Sequence, residues 1–585
     1  MKKKIFSFLY YTKYALEIVT KTDKRKFSFI VAFSAVSGLL PTLLVWLNQN
    51  ILNGIQDKTL PLELLIFVIV IFFVVTAISR IIGGINAFLL NELNYTLMYR
   101  INQWVMGKCG TLSLEELEKP ESYDQINRLE QGVSVKPYQV LQAMLSITTS
   151  SASLVSASII VIRQNIWIEM LLILVSIFAA YGNILVGSKE FAIHYERSET
   201  ERKAWYISYL LTHDTYFKEV KENALSRFFL DKYKRYASVF IKQEKYIEKK
   251  RELLGVGISL FQDLISLFLM IVVSISAYHG NLLIGTAVAF LSAVSIVQAS
   301  TNDIASSIYS SYNSTLYLEL LNTFLNKDEE NVSGKNMAQI KQLFLDDVSF
   351  NYPSHPEVLK GITLELKEGD RIAIVGKNGS GKSTLFKIIA GLYSPSQGRI
   401  IVNDENELNT ISIEQYRSRI SALFQDYMKY EGTVEENIIL GDVKKNVSKE
   451  VIERALSMAD VDFLQENGSY SLNQNVGNWF ESGRQLSGGQ WQKIALARAY
   501  YKDADVFMLD EPSSSLDVMA EAKVFHNFFQ LSKNKIGIYI THRVRIAQKA
   551  PRIIVMENGQ IIAEGDHEKL YNDCPIYRKM FEDEE

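Results

Sequence analysis

Residues 371–384 read RIAIVGKNGSGKST, and this stretch decides the fold of the second half of the chain. The run RIAIV at 371–375 predicts a buried strand, and the apolar spacing after Thr384 predicts a helix. The GxxxxGK[ST] pattern between them is that of a P-loop, whose glycines let backbone N–H groups converge on the phosphates of a nucleotide. The residues predicted to bind the nucleotide here are Gly376, Asn378, Gly379, Ser380, Gly381, Lys382, Ser383 and Thr384.

Two acids follow a second predicted strand at residues 506–509. An acid at the end of such a strand is placed to hold a metal ion, so Asp510 and the P-loop Ser383 are predicted ligands of Mg²⁺. The next residue, Glu511, can orient or deprotonate the water that attacks the γ-phosphate, while Lys382 can reach the β- and γ-phosphates. Two acids after a strand are also compatible with a solvated turn. The P-loop that precedes them in the sequence favours a role in ATP hydrolysis instead.

A second glycine turn, LSGGQ at residues 486–490, precedes another predicted helix. A Ser-Gly-Gly sequence at a helix start can hold an anion, because the first N–H groups of the helix have no partner within it. The domain already has its own P-loop, so a second anion site suggests the nucleotide of a second chain; a simple capping turn is the alternative. The residues concerned are Ser487, Gly488, Gly489 and Gln490.

The first half of the chain is apolar enough to predict six membrane-spanning helices. The chain has 585 residues, 48% hydrophobic and 22% charged, and almost every long apolar run lies in its first 320 residues. A bilayer core of about 30 Å needs roughly 20 apolar residues in a helix. The predicted spans are 27–47, 60–82, 141–162, 168–186, 253–278 and 282–297, the last being short and interrupted by small residues.

Lys and Arg are concentrated before the first span and between the fourth and fifth spans, while the connections near 48–59, 164–165 and 279–281 carry few or none. The basic segments are therefore predicted to be cytoplasmic, as are both termini. Long loops with helical spacing predict spans that continue into the cytoplasm, each pair ending in a short crossing segment near 114–127 and 212–222. The predicted boundaries are an N-terminal segment 1–26, a transmembrane domain 27–320, a linker 321–340 and a nucleotide-binding domain 341–585.

The third span is rich in hydroxyl groups between Ser146 and Ser158. Hydroxyls and small residues let helices approach closely, but a polar wall facing a water-filled cavity is equally compatible with them.

The composition of the chain excludes several other classes of protein. A net charge of -3 argues against a nucleic-acid partner, and 30 Tyr, 30 Phe and ten Pro argue against disorder. Two cysteines without CxxC spacing make neither a disulfide framework nor a zinc site.

The P-loop, residues 486–490 and residues 508–512 together resemble an ATP-binding cassette (ABC) domain, and six spans before it resemble an ABC exporter half-transporter. The resemblance implies an α-helical six-span transmembrane domain of the ABC exporter type, fused to an α/β P-loop nucleotide-binding domain. It also implies that Tyr352 stacks on adenine, that Gln425 contacts Mg²⁺ and water, and that His542 holds the γ-phosphate. Glu481 matches an acid that contacts the crossing helices, and residues 515–517 resemble a loop that communicates across a dimer.

In that family two cassettes close head to tail, so the resemblance implies a homodimer in which Ser487 and Gly489 of one chain face Lys382 and Glu511 of the other across ATP; a heterodimer stays open. Residues 209–219, 424–427, 478–481 and 490–493 resemble the nisin-type lantibiotic (lanthipeptide) exporters of Gram-positive bacteria. This implies a leader-bearing peptide as cargo, with membrane lipid and lanthipeptide-modifying enzymes as further partners. An exporter of drugs or lipids, and a membrane sensor that binds ATP without transport, are the alternatives.

Overall fold

A computed structural model describes residues 2–57, 61–130, 135–330, 334–353, 356–512 and 518–584. The chain divides into two compact units: Met1–Gly110 with Tyr123–Lys327, and Thr111–Ser122 with Asp328–Glu585. This division differs from the predicted boundaries in two places. The predicted N-terminal segment 1–26 belongs to the first unit, because Ile18 and Val19 are buried in one cluster with Ile30. Residues 111–122, predicted to lie within the transmembrane domain, belong to the second unit.

The described residues between 2 and 325 are helical almost throughout. The helices are α1 (Lys2–Thr22), α2 (Lys24–Asp57), α3 (Leu62–Thr111), α4 (Leu114–Leu117), α5 (Pro120–Glu130), α6 (Lys136–Gln164), α7 (Ile166–Glu196), α8 (Ser198–Thr212), α9 (Asp214–Glu222), α10 (Ser226–Tyr278) and α11 (Ile284–Leu325). Each predicted span falls on its own helix. At 1.5 Å per residue the 53 residues of α10 are roughly 80 Å long, far more than a bilayer core. This length is compatible with a span that continues beyond the membrane, and its continuation into the cytoplasm stays a prediction.

Five of these helices, α2, α3, α6, α10 and α11, are long and apolar enough to cross a membrane. Helix α7 adds a shorter apolar stretch, Ile166–Phe178, within the residues that the structure describes. The two predicted crossing segments contain the short helices α4 and α9. The local structure expected for the crossing segments is therefore present.

The hydroxyl-rich third span packs directly on the first. The Ser153 hydroxyl donates to the carbonyl oxygen of Gly38 over 2.7 Å, and the Thr149 hydroxyl donates to that of Ser34 over 3.1 Å. A Cβ atom at Gly38 would lie 2.3 Å from the Thr149 carbonyl oxygen and 2.8 Å from Ala152 Cβ. Close helix approach needs such small and hydroxyl-bearing residues, so helix packing accounts for this face of the span.

The second unit is an α/β domain. Its strands are β1 (Gln342–Asn351), β2 (Glu357–Lys367), β3 (Arg371–Gly376), β4 (Gln397–Val402), β5 (Asn406–Glu407), β6 (Ile420–Leu423), β7 (Gly432–Thr433), β8 (Gln465–Glu466), β9 (Ser469–Tyr470), β10 (Asn475–Val476), β11 (Val506–Asp510), β12 (Ile536–Ile540), β13 (Arg552–Glu557) and β14 (Gln560–Gly565). Its helices after α11 are α12 (Lys382–Ile389), α13 (Ile413–Ser418), α14 (Val434–Ile439), α15 (Lys449–Met458), α16 (Gly488–Tyr501), α17 (Val518–Leu531), α18 (Val544–Ala547), α19 (His567–Asp573) and α20 (Pro575–Glu582).

The central sheet has the strand order β14-β13-β3-β12-β11-β6, in which only β14 runs antiparallel to its neighbour. Asp510 pairs in register with Ile540, which pairs with Ile374, and Leu509 pairs with Leu423. The ends of β3, β12, β11 and β6 therefore lie side by side. Ligands bind at the carboxyl edge of such sheets, and this edge carries the P-loop, His542, both acids and Gln425.

Residues 111–122 include the first part of the predicted crossing segment 114–127, and specific contacts hold them within the second unit. Leu114 packs against the main hydrophobic core of this unit. The Tyr393 hydroxyl donates to a Glu118 carboxylate oxygen over 2.7 Å, and the Glu330 backbone N–H donates to the Thr111 carbonyl oxygen over 2.9 Å. These long-range contacts explain why the segment belongs to this unit.

Candidate active site

The P-loop leaves the N-terminus of α12 free to bind an anion. Its N-cap is Gly381 at φ 99°, and no side chain caps the helix. A Cβ at Gly381 would lie 2.7 Å from Leu359 Cδ2, and one at Gly376 would lie 2.3 Å from the Met556 carbonyl oxygen. Glycine is therefore required at both positions, by left-handed backbone at Gly381 and by close packing at both. The unsatisfied N–H groups and the helix dipole favour a phosphate here.

Lys382 is folded into this loop. Its ammonium group donates to the carbonyl oxygens of Gly376 over 2.8 Å and of Lys377 over 3.0 Å. Burial lowers the pKa of Lys382, while the nearby acids Glu511 and Asp510 oppose the shift. The hydroxyl oxygen of Ser380 is buried without a hydrogen-bond partner. The loop thus holds the buried ammonium group of Lys382 and a buried hydroxyl oxygen, that of Ser380, without a hydrogen-bond partner.

Asp510 lies at the end of β11 and is only 4% exposed. Its Oδ1 atom is buried without a hydrogen-bond partner. Burial raises the pKa of Asp510 to about 6; a hydrogen bond with Ser383 and the charge of Lys382 lower it, while the charge of Glu511 raises it. An unpaired buried carboxylate oxygen is costly in the absence of a cation, so the donor set fits a hard divalent ion.

Glu511 is the point where three predicted residues meet. One carboxylate oxygen accepts from the Gln425 side-chain amide over 2.9 Å, and the other is in contact with His542 Nε2. Its backbone has φ 48°, which is uncommon for a residue with a side chain, and its N–H donates to the Ile540 carbonyl oxygen over 3.0 Å. Backbone strain of this kind is typical of functional sites. The amide of Gln492, not identified from the sequence, donates to the Glu511 carbonyl oxygen over 3.4 Å.

Tyr352 lies beside the P-loop helix. Its hydroxyl is 3.3 Å from the Thr384 hydroxyl oxygen. Its ring contacts Phe350 and Tyr393 edge-on, with centroid distances of 5.0 Å and 5.5 Å. These two rings hold the tyrosine beside the P-loop helix, and its stacking on adenine stays a prediction.

The second glycine turn is capped by its own side chains. The Ser487 hydroxyl accepts from the Gln490 backbone N–H over 3.3 Å, and the Gln490 side chain accepts from the Ser487 backbone N–H over 2.9 Å. This is a reciprocal capping box at the start of α16, and the S-x-x-Q spacing could have predicted it. No hydrogen bond joins residues 487–490 to residues 376–384 in the described chain. The capping turn predicted as the alternative is therefore present, and it leaves the interchain role untested.

Comparison with known proteins now identifies the family. A model described as ABC transporter matches residues 359–514. The chain is 38% identical to the subtilin transport ATP-binding protein of Bacillus subtilis, over 97% of this chain and 93% of that protein. It is 35% identical to the nisin transport ATP-binding protein of Lactococcus lactis subsp. lactis, over 97% of this chain and 95% of that one. The chain belongs to this family of ABC transporters.

The fold of this ABC transporter is that of an exporter. A solved bacterial Atm1-family ABC exporter with ATP bound has a TM-score of 0.81 to it at 18% identity, covering 96% of this chain and 98% of that one. The predicted fold class, a six-span transmembrane domain with a P-loop nucleotide-binding domain, is confirmed. The protein is a multi-pass membrane protein that binds ATP and couples its hydrolysis to transport.

Two further predictions for this ABC transporter concern residues 515–517 and Glu481. Residues 515–517 lie outside the residues that the structure describes. Glu481 lies on an exposed loop, where Trp479 and Phe480 are 70% and 55% exposed. Phe480 and Glu481, together with Tyr430, line an open groove on the second unit. The predicted role of Glu481 in contacting crossing helices stays a prediction.

Proposed function

We propose that the protein is a homodimeric exporter that uses ATP to move a leader-bearing lantibiotic precursor across the cell membrane. Support for the cargo comes from the two relatives, which are named for subtilin and nisin and match over almost the whole chain. Support for the ATPase step comes above all from Glu511, which is held between Gln425 and His542 at the end of β11, beside the P-loop.

In this proposal each residue at the sheet edge has one task. The P-loop amides and Lys382 bind the β- and γ-phosphates, and Tyr352 stacks on the adenine. Glu511 orients the attacking water or accepts its proton, while Gln425 and His542 keep the Glu511 carboxylate in place. His542 also contacts the γ-phosphate. Asp510, Ser383 and Gln425 would hold Mg²⁺, which supplies positive charge against the charge that develops on the phosphates.

The second copy is needed to complete the site. Ser487, Gly488, Gly489 and Gln490 begin α16, and within the described residues no hydrogen bond joins them to the P-loop of their own chain. In the proposed dimer this turn closes over the ATP of the partner, and closure is passed to the membrane helices through the crossing segments. The basic segments and both termini are cytoplasmic, where lanthipeptide-modifying enzymes would meet the protein.

Glu511→Gln tests this function. In the lipid-reconstituted protein the variant should retain ATP but lose its hydrolysis by at least about 100-fold, since removal of a catalytic base is worth roughly 10²–10⁴ in rate. Secretion of the precursor from cells should stop. Glu414→Gln, which alters a surface ion pair with Lys444, is the matched control and should behave as wild type.

The cargo is tested on the same material. Stimulation of wild-type ATP hydrolysis by a lantibiotic precursor, and not by hydrophobic drugs or lipids, is the expected result. Undiminished secretion by Glu511→Gln would contradict the mechanism. Stimulation by drugs alone would contradict the peptide cargo.

A further inference from the structure

The short loop that carries His542 is held by two carboxylates from distant parts of the sequence. Arg543, the next residue, forms an ion pair with Glu521 of α17. The following two backbone N–H groups, of Val544 and Arg545, donate to the two carboxylate oxygens of Glu584 over 2.6 Å and 3.1 Å. His542 thus stands directly before three consecutive residues that are tied to these two carboxylates.

Glu521 is an unusual anchor because its charge is buried. The residue is 3% exposed, and its second carboxylate oxygen is buried without a hydrogen-bond partner. Arg543 is its ion-pair partner within the described chain. A buried carboxylate is strongly unfavourable without a counter-charge, so Glu521 holds the arginine firmly.

Glu584 is placed by a well-packed C-terminal helix. Tyr577 of α20 is fully buried, and the Phe581 ring lies 4.9 Å from that of His567. The carboxylate then caps α18, whose residue Val544 is buried against the central sheet. The cap satisfies two N–H groups that begin a helix and would otherwise lack partners.

His542 itself has little else to hold it. Its side chain is 40% exposed, and its ion-pair partner is Glu511. Its position above the nucleotide site therefore depends on the backbone on either side. On the upstream side the Thr541 hydroxyl accepts from the Arg543 N–H over 3.0 Å, which closes a tight turn around the histidine.

We propose that Glu521 and Glu584 are positioning residues for ATP hydrolysis: together they fix the loop 541–545 so that His542 stays at Glu511. The inference rests on the proposed role of His542 at the γ-phosphate. It adds the C-terminal helix and α17 to the parts of the chain on which turnover depends, although neither carboxylate touches the nucleotide site.

Turnover and ATP affinity of the full, lipid-reconstituted protein test the proposal. Glu584→Ala and Glu521→Gln should each lower kcat about 5- to 20-fold and change KM for ATP by less than twofold, because the P-loop is untouched. Arg543→Lys keeps the charge and should restore most of the rate lost in Arg543→Ala. Glu582→Ala is the matched control: Glu582 ends α20, two residues before Glu584, and within the described residues its carboxylate accepts from the Tyr571 hydroxyl at 3.3 Å, so kcat should stay at the wild-type value.

A second measurement separates positioning from general stability. In a His542→Ala background, adding Glu584→Ala should change single-turnover hydrolysis by less than twofold, because both changes act through one side chain. A multiplicative further loss, or a Glu584→Ala rate equal to that of Glu582→Ala, would overturn the proposal. Glu521→Gln is nearly isosteric. If this variant fails to fold, Glu584→Ala, alone and with His542→Ala, still tests the proposal. Absence of hydrolysis in the wild type would instead refute the proposed function.

Discussion

The glycine turns before α12 and α16 both begin a helix, but they treat its free N–H groups in opposite ways. At α12 the N-cap is Gly381 in left-handed conformation, and no side chain accepts from the helix start. At α16 the N-cap is Ser487, and the turn is closed on itself by Gln490. A Cβ at Gly381 would collide with Leu359, whereas a Cβ at Gly488 would meet nothing within 4 Å.

The difference is that the first helix start is left without a side-chain cap, whereas the second is capped by its own side chains. Around the first, Lys382 and Asp510 are both buried, and Asp510 Oδ1 has no hydrogen-bond partner, at a cost in stability that bound Mg²⁺ and nucleotide would offset. Around the second, the hydrogen bonds are already made and the glycine faces open space. Such a turn is stable alone and has room for a partner surface, and five substitutions test this contrast.

The largest expected effect is that of Lys382→Ala. Loss of the buried ammonium that faces the phosphates should lower ATP hydrolysis by at least about 100-fold and abolish measurable ATP binding, since charge-assisted contacts to phosphate are among the strongest hydrogen bonds. Binding of a fluorescent ATP analogue to the reconstituted protein measures this. Lys387→Ala on the same helix is the control, because its ammonium lies over the Tyr393 ring and not in the loop. Equal binding by both variants would contradict the assignment.

Asp510→Asn should stabilise the nucleotide-free protein. The folded pKa of about 6 lies above the usual 3.8, so the folded state binds the proton more tightly and the free energy of unfolding falls as pH rises from about 4 through about 6. Two pKa units correspond to ~3 kcal/mol, which the variant should regain at pH 7.5 and only in part at pH 4.5. Thermal melting at both pH values, without nucleotide, measures the difference. A gain that does not depend on pH would show that the carboxylate is not responsible.

Gly381→Ala and Gly488→Ala compare the two turns directly. At Gly381 the positive φ costs about 1–2 kcal/mol for alanine, before the contact with Leu359 is counted. At Gly488 the first helical position accepts alanine, and the melting temperature should change by about a degree or less. Gly488→Ala should still reduce hydrolysis if the turn packs on a partner's nucleotide. Equal melting temperatures for the two variants would remove the structural contrast.

Ser487→Ala has a small expected effect on folding and separates the cap from the nucleotide site. Removal of an N-cap hydroxyl costs about 1 kcal/mol of stability, and the loss should appear as a small decrease in melting temperature. ATP binding to the P-loop should be unchanged, while hydrolysis by the dimer falls. Ser448→Ala is a suitable control, because Ser448 precedes α15 and makes no side-chain cap. A loss of ATP binding together with hydrolysis would place Ser487 in its own chain's site.

Sequence patterns predicted the features that are local. The strand, glycine loop and helix around Lys382 follow from consecutive residues, and the two acids of β11 follow from a strand pattern with polar residues at its end. The S-x-x-Q capping box at Ser487 was equally local and could have been identified. Gln492, Tyr393 and Arg543 carried no such signal, because their contacts with Glu511, Glu118 and Glu521 join residues that are far apart in sequence.

The hydroxyl-rich third span is a local pattern whose role could not be decided from the sequence. Its composition was compatible with a cavity wall or with tight packing, and the choice depended on Gly38 of another helix.

The sequence by itself determined where the P-loop lies and which segments are apolar enough to be candidate membrane spans, because both depend on the pattern of residues along one segment. Tertiary structure alone decided that residues 111–122 join the second unit, that Asp510 carries an unpaired buried oxygen, and that Glu521 and Glu584 hold the loop of His542. Burial and long-range pairing are properties of the packed chain, since they arise only when distant residues exclude water from one another.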